Sequence, residues 1–409
     1  MTRNRAALAL PAALVMLSGC GVAAAVTART TTVSDLNANG AAADASPHVH
    51  LIPQPAAVPT AAAAPAASHP IPPAHTSNGD VVSILTYGAT QWLEILSHNG
   101  AVVAKTAINP LLGWMVSAGP GGAYWSQSGA EYELTTSGTV RKLGPVPGDS
   151  NGVVIGPDGT SYAYSTNDQG KTGMTNRIVV VHPGGSATTI ADRFDNPNQT
   201  QSDAPASWEY YLISWTSSGI AFARVPTGGC GCGSFDMQMQ SAYSATINPV
   251  TEVVTPLTDS ASCPLSAVGP GMETACFLAG TSGTTTSLRI TSGGVVRHSF
   301  AMSGANVGGD AVFSPAGTEL AYVTIPAAED TCGATWNATL RVLNLATGAA
   351  VTRTLGEFSP AAWGTDGLLY GSISTQSGSV ASLVAVNPST LAVTQISPAI
   401  AGQQFVGVM

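Results

Sequence analysis

Charge is scarce in this chain: Asp, Glu, Lys and Arg make up 9% of its 409 residues, and only 14 of them are Lys or Arg. No cluster of bases is available to neutralise a row of phosphates, so nucleic acid is not an expected partner. Helix signals are nearly absent after residue 80, which leaves an all-β class rich in Val, Thr, Ile, Tyr and turn glycines. Beyond the N-terminus no apolar stretch reaches the roughly 18 residues that a spanning helix requires. There is no Gly-x-Ser-x-Gly elbow on a strand-to-helix turn, which removes the usual serine-hydrolase arrangement. Cys230 and Cys232 form a Cys-x-Cys pair without a second pair or a nearby His, so neither a metal nor a cofactor is expected.

What charge there is leans acidic. The formal charge is -9; the first 79 residues hold three Arg and two acids, so 11 bases face 21 acids from residue 80 onward, or -10. A modest acidic surface implies solubility and little more.

The N-terminus reads as a secretory signal. Arg3 and Arg5 supply the charged region, and Ala6 to Leu17 supply an apolar segment of twelve residues, too short to span a bilayer. Leu17-Ser18-Gly19-Cys20 follows and resembles the lipobox of bacterial lipoproteins. That resemblance implies cleavage after residue 19 and lipidation of Cys20, hence a bacterial, extracytoplasmic protein held to a membrane by acyl chains. Residues 20 to 79 then form an Ala-, Pro- and Thr-rich segment that cannot repay the entropy of ordering. As a coil it spans roughly 40 Å. His48, His50, His69 and His75 lie in it and read as solvated linker residues.

From about residue 80 to 409 a hairpin signature recurs. Phe313-Ser314-Pro315-Ala316-Gly317 followed by Thr318 to Val323 is the clearest copy, and others are expected to turn at Gly122, Gly159, Gly219, Gly271 and Gly367. Units of four short strands at this period indicate a β-propeller. Seven outer hairpins can be counted: Trp92 to Ile108, Tyr132 to Leu143, Arg177 to Ile190, Ala242 to Leu257, Ser287 to Phe300, Leu340 to Leu355 and Ser382 to Ile396. Only six inner hairpins appear, because Val81 to Tyr87 has no preceding strand. Gln403 to Met409 has no successor and can fill that vacancy, closing the first blade. Seven blades are favoured, with six or eight as alternatives.

The inner repeats resemble TolB-type, WD-like propeller repeats. Phe313 to Val323 and Ile155 to Ser165, with Pro157-Asp158-Gly159, carry the resemblance, which implies the fold. The serine peptidases that contain such propellers place a catalytic domain after them, and none is expected here.

Cys263 and Cys276 stand at equal distances from the Gly269-Pro270 bond, so a hairpin turning there would set them opposite each other as a disulfide. Cys332 is expected on the same propeller face as Cys230 and Cys232, and one of those two is a candidate partner for it. Thr166-x-Asp168-x-Gly170-x-Thr172 resembles the Asp-box of sialidases, a structural turn that carries no catalytic residue. His98, His182 and His298 fall at or near outer strands of different blades, too scattered for a common metal.

Uneven loops remain as the best pointer to a site. Asp192 to Glu209, Pro226 to Met239 and Pro326 to Asn337 are long and should share one face. They nominate Asp203, Trp208, Phe235, Asp236, Asp330 and Trp336 as binding residues, with no catalytic residue assigned. The leading expectation is a tethered, noncatalytic lipoprotein that binds a protein or an envelope polymer. The competing one is a glycan hydrolase or lyase, which would show two carboxyl groups about 5 to 10 Å apart in a concave pocket.

Overall fold

A computed structural model describes residues 79–109, 116–148, 150–170, 173–195, 208–226, 243–258, 263, 265–280, 284–302, 306–329, 337–375 and 380–409. Ile71–Met409 form one compact unit. Apart from a 3-10 turn at Ala327–Glu329, its regular elements are β-strands.

Consecutive strands pair in fours. β4 (Val116–Gly119), β5 (Gly122–Gln127), β6 (Ala130–Thr135) and β7 (Val140–Pro145) make one sheet; β8 (Ser150–Ile155), β9 (Tyr162–Gly170), β10 (Gly173–Val181) and β11 (Ala187–Asp195) make the next. β12 (Trp208–Thr216), β13 (Gly219–Pro226), β14 (Tyr243–Ile247) and β15 (Val254–Thr258) follow, then β16 (Leu265–Val268), β17 (Thr274–Ala279), β18 (Thr285–Ser292) and β19 (Val295–Ala301). A longer sheet runs through β20 (Asn306–Phe313), β21 (Glu319–Pro326), β22 (Ala338–Asn344), β23 (Ala350–Trp363), β24 (Leu369–Thr375), β25 (Val380–Val386) and β26 (Val393–Ala401). β23 is long because it serves two neighbours: Ala350–Gly356 pairs with β22, and Glu357–Trp363 pairs with β24. Divided there, the sheet becomes two groups of the same four-strand pattern.

The remaining sheet joins the two ends of the folded chain in the order β27 (Gln403–Val408), β1 (Val81–Tyr87), β2 (Thr90–Leu96), β3 (Val102–Ile108). Innermost strands touch one another in succession, β27 to β4, β4 to β8, β8 to β12, β16 to β20, β20 to β23 and β23 back to β27. The fold is a β-propeller. Its hydrophobic cores lie between neighbouring sheets. In one of them Ile84, Leu93 and Ile95 of β1 and β2 pack on Ala123, Trp125 and Leu134 of β5 and β6.

Closure is made by β27 against β1, with Val81 opposite Val408 and Leu85 opposite Gln403. Two further backbone bonds extend it, Thr86 N–H to Gly402 at 3.0 Å and Met409 N–H to Asp80 at 2.9 Å. The tail therefore satisfies donors that an open inner edge would leave bare. Gly402 permits the entry: its φ is 77°, and a Cβ there would lie 2.7 Å from the Thr86 carbonyl oxygen.

The repeated inner turn owes its sequence to one left-handed position. Gly159, Gly317 and Gly367 take it with φ of 66°, 67° and 81°, each donating its N–H three residues back. Three expectations need correction. Gly122 and Gly219 open β5 and β13 rather than sitting in turns, and in the β16–β17 hairpin Met272, not Gly271, occupies the left-handed position at φ 63°. Met272 N–H still bonds to Gly269, so the turn keeps its shape at some steric cost.

Cys263 and Cys276 are bonded, with Cα atoms 5.2 Å apart. The expected facing register is not the one adopted: Leu265 opposes Cys276, and a bulge at Ser266 shifts the strand. Cys263 reaches its partner from two residues beyond the paired end. The Asp-box segment also differs from an isolated surface turn. β9 and β10 remain paired out to Gly170 and Gly173, and Arg177 on β10 forms an ion pair with Asp168 on β9.

Candidate functional site

Among the described residues, a bulge interrupts six of the innermost strands of these four-strand groups; β4 has none. It falls between Ser150 and Val153 in β8, Leu212 and Ser214 in β12, Leu265 and Ala267 in β16, Gly309 and Val312 in β20, and Pro360 and Ala362 in β23; in β27 it leaves Val406 unpaired. Bulges bend a strand and re-aim its side chains. Here they act where the strands surround the propeller axis.

Inner strands β4, β8, β12, β23 and β27 line a cavity of about 530 Å³. Its wall includes Ser117, Val153, Tyr211, Ser214, Trp215 and Val406. Among the described residues, no carboxylate, ammonium, guanidinium or imidazole belongs to that lining. It offers hydroxyl groups, aromatic faces and backbone groups. The Ser214 hydroxyl is buried without a hydrogen-bond partner among the described residues, and burial raises the pKa of the Tyr211 phenol. Such a surface can hold a ligand by stacking and hydrogen bonding. It does not supply a proton donor or acceptor poised near neutral pH.

Elsewhere the seven inner strands carry three acids, Glu209, Asp310 and Glu357, and no Lys, Arg or His. Asn167 donates to Glu209 at 2.8 Å, and Ser359 donates to Asp310 at 2.8 Å, so both carboxylates tie neighbouring sheets together. Asp310 has a left-handed backbone, φ 49°, at the β20 bulge. None of the three was nominated by sequence reasoning, since only the register reveals that they share the innermost strands.

Asp203, Phe235, Asp236, Asp330 and Trp336, together with Cys20, Cys230, Cys232 and Cys332, are outside the described residues. Trp208 opens β12 opposite Pro226. His98 and His182 sit at third-to-fourth-strand turns and His298 lies in β19; no cluster of metal-ligating groups occurs among the described residues. The letters Gly-x-Ser-x-Gly do occur from Gly148 to Gly152. There Ser150 enters strand β8 and its hydroxyl donates to the Pro147 carbonyl at 2.7 Å, so no strand-to-helix elbow forms.

Two buried acids sit on β6. Glu133 is fully buried and receives the Arg141 Nε–H at 2.7 Å. Glu131 is 1% exposed and has no cation beside it; burial pushes its carboxyl up to about 8, against the lesser opposing effect of the Ser126 hydroxyl. Tyr162 faces it from β9, and that phenol is raised first by burial and then by Glu131. At the closure seam, burial likewise raises Asp80, with His98 opposing, while Tyr370 donates to Asp366 at 2.5 Å.

No protein-family model matches this chain, and no curated protein matches it in sequence. Solved structures resemble it in fold. A putative TolB from Agrobacterium tumefaciens aligns over 71% of this chain and 95% of its own at 15% identity, with a TM-score of 0.41. The periplasmic gluconolactonase of Pseudomonas aeruginosa aligns over 81% of this chain and all of its own at 11% identity, TM-score 0.48. A putative 6-phosphogluconolactonase from Bacteroides fragilis aligns over 81% of this chain and 98% of its own at 12% identity, TM-score 0.47. Identities this low concern the fold alone.

Glu131 makes stability depend on pH. Its folded value, about 8, lies above the ordinary 4.5, so the folded chain keeps a proton that the unfolded chain releases. Stability therefore falls as pH rises from about 4.5 to about 8, by on the order of 1 kcal/mol per unit at most. Glu131→Gln is expected to gain on wild type progressively across that window in urea melts at pH 5, 6.5 and 8. Parallel pH slopes for the two proteins would contradict the assignment.

Proposed function

We propose that this chain is an extracytoplasmic propeller lipoprotein, tethered through Cys20, whose propeller is a noncatalytic binding or scaffold module for a protein or an envelope polymer. The four-strand groups are read as seven blades of one ring, with β23 shared between two of them. One observation carries the binding reading: the axial cavity is bounded by hydroxyls, aromatic rings and backbone, without an ionisable pair. A glycan-active enzyme would need two carboxyl groups converging on such a cavity, one of them placed to protonate a leaving oxygen. Glu209 and Asp310 are instead engaged by Asn167 and Ser359. No helix among the described residues is long and apolar enough to cross a membrane. Attachment is assigned to the acyl group that the lipobox-like Leu17-Ser18-Gly19-Cys20 implies.

Two experiments test the two halves of this reading. After a wash in about 1 M salt, where the Debye length is about 3 Å, wild-type protein is expected to stay with membranes until detergent is added, whereas Cys20→Ala is washed off. Retention of Cys20→Ala through the wash would contradict the acyl anchor. For the cavity, Ser117→Trp fills the bore from one wall. Crosslinking in intact cells followed by pull-down should recover a partner with wild type and about tenfold less with the variant, a loss of roughly 1.4 kcal/mol in binding. Equal recovery with a correctly folded variant would remove the cavity from the binding surface.

A further inference from the structure

Eleven large hydrophobic side chains are exposed among the described residues, and nine of them are valines in third-to-fourth-strand hairpins. They belong to five groups. Val102, Val140, Val254 and Val295 each open an outer strand, respectively β3, β7, β15 and β19, and Val351 is the second residue of β23. Because strands alternate in direction, the turns before these residues all lie at the same face of the propeller. β1 begins at that face too, with Val81 opposite Leu96 just before the β2–β3 turn.

Charge is sorted along with them. β3, β7, β15, β19 and residues 350–356 of β23 contain five bases, Lys105, Arg141, Lys142, Arg297 and Arg353, and no acid. This is the reverse of the region from residue 80 onward, where 21 acids face 11 bases. Arg141 is neutralised by Glu133, and Lys105 lies 5.0 Å from the centroid of Trp92. Lys142, Arg297 and Arg353 are exposed and form no ion pair among the described residues, though the Arg353 guanidinium donates to the Leu391 carbonyl at 2.6 Å. In sequence, Glu357 and Asp259 directly follow two of these segments, and Glu252 lies in the β14–β15 turn at the rim itself.

Bases on outer strands can be explained as guards against strand addition at a sheet edge. That account covers the bases, since Lys is the usual guard, but it predicts fewer exposed valines, not nine. We propose that this rim of valines and bases rests on an anionic phospholipid surface. Valine can enter the boundary between headgroups and acyl chains, and Lys or Arg beside it is drawn by lipid phosphate. A rim shared by five groups at one face suits a broad plane, whereas a globular partner would cover one sector. Face-to-face pairing with a second copy would bring base against base. The surface needs no acyl chain, so it stands or falls separately from the Cys20 anchor.

The test uses the mature chain, residues 20–409 with Cys20→Ala, sedimented with vesicles of phosphatidylcholine alone or with about 30% phosphatidylglycerol. Binding is expected only with the anionic vesicles and should weaken with salt. Each base is worth about a factor of five near such a surface; Lys142→Gln with Arg297→Gln should therefore lower affinity about 25-fold at unchanged melting temperature. Val140→Thr with Val295→Thr, which preserves strand propensity, should weaken it as well. Equal binding to neutral vesicles, no binding to either, or full affinity in both double variants would overturn the proposal. Equally tight capture of soluble polyglutamate would assign the rim to an acidic polymer instead and would also overturn it.

Discussion

The antiparallel pairing of Gln403–Val408 with Val81–Leu85 is the constraint on which the rest of this molecule depends. Without it the innermost edge of β1 would expose its backbone donors and acceptors to the axis, and the first and last sheets would meet only through side chains. With it, every group presents an inner strand to the centre. The cavity, its bulged wall and the succession of inter-sheet cores all presuppose a ring held in this way. The cost is long-range: residues more than three hundred positions apart must find one register, which makes closure a late and demanding step of folding.

Position along the radius decides what each strand can do. Middle strands are covered on both sides by neighbouring sheets, inner strands face the axis, and outer strands face water. The charges follow that division in part: Glu209, Asp310 and Glu357 are on inner strands and Lys142, Arg297 and Arg353 on outer ones, while the outer strand β11 carries Asp192 and Asp195 beside Arg193. Among the described residues, a cavity wall without carboxylate or basic side chains lies between inner strands that carry only acids. Recognition at the axis and attachment at the rim therefore draw on different chemistry from one repeated scaffold.

Much of this fold was legible from local pattern. Leu340 to Gly348 alternates apolar and polar residues and ends in a turn signal, and it forms β22 with its following turn. Counting strands left one place empty, and β27 occupies it. Side-chain environment was less legible. Ala130 to Thr135 alternates in a way that would put Glu131 and Glu133 in water on a two-layer sheet, yet in a propeller both faces of β6 are covered and both acids are buried. The bulges depend on register between strands, which composition does not encode, so the shift that moved Cys263 away from the position facing Cys276 could not be read in advance. The nominated loop residues followed loop length alone. Five of those six lie outside the described residues; among the described ones, Ser117, Tyr211, Ser214 and Trp215 come together, residues that look ordinary in sequence because each belongs to a regular strand.

Amide hydrogen exchange on the full-length chain tests ring closure most directly, because it reports backbone hydrogen bonds one segment at a time. Val81–Leu85 and Gln403–Val408 should exchange together, as slowly as the inner hairpins of β8 with β9 and β20 with β21. Free-peptide exchange across Gln403–Val408 beside a protected β20–β21 hairpin would contradict closure by the C-terminal strand.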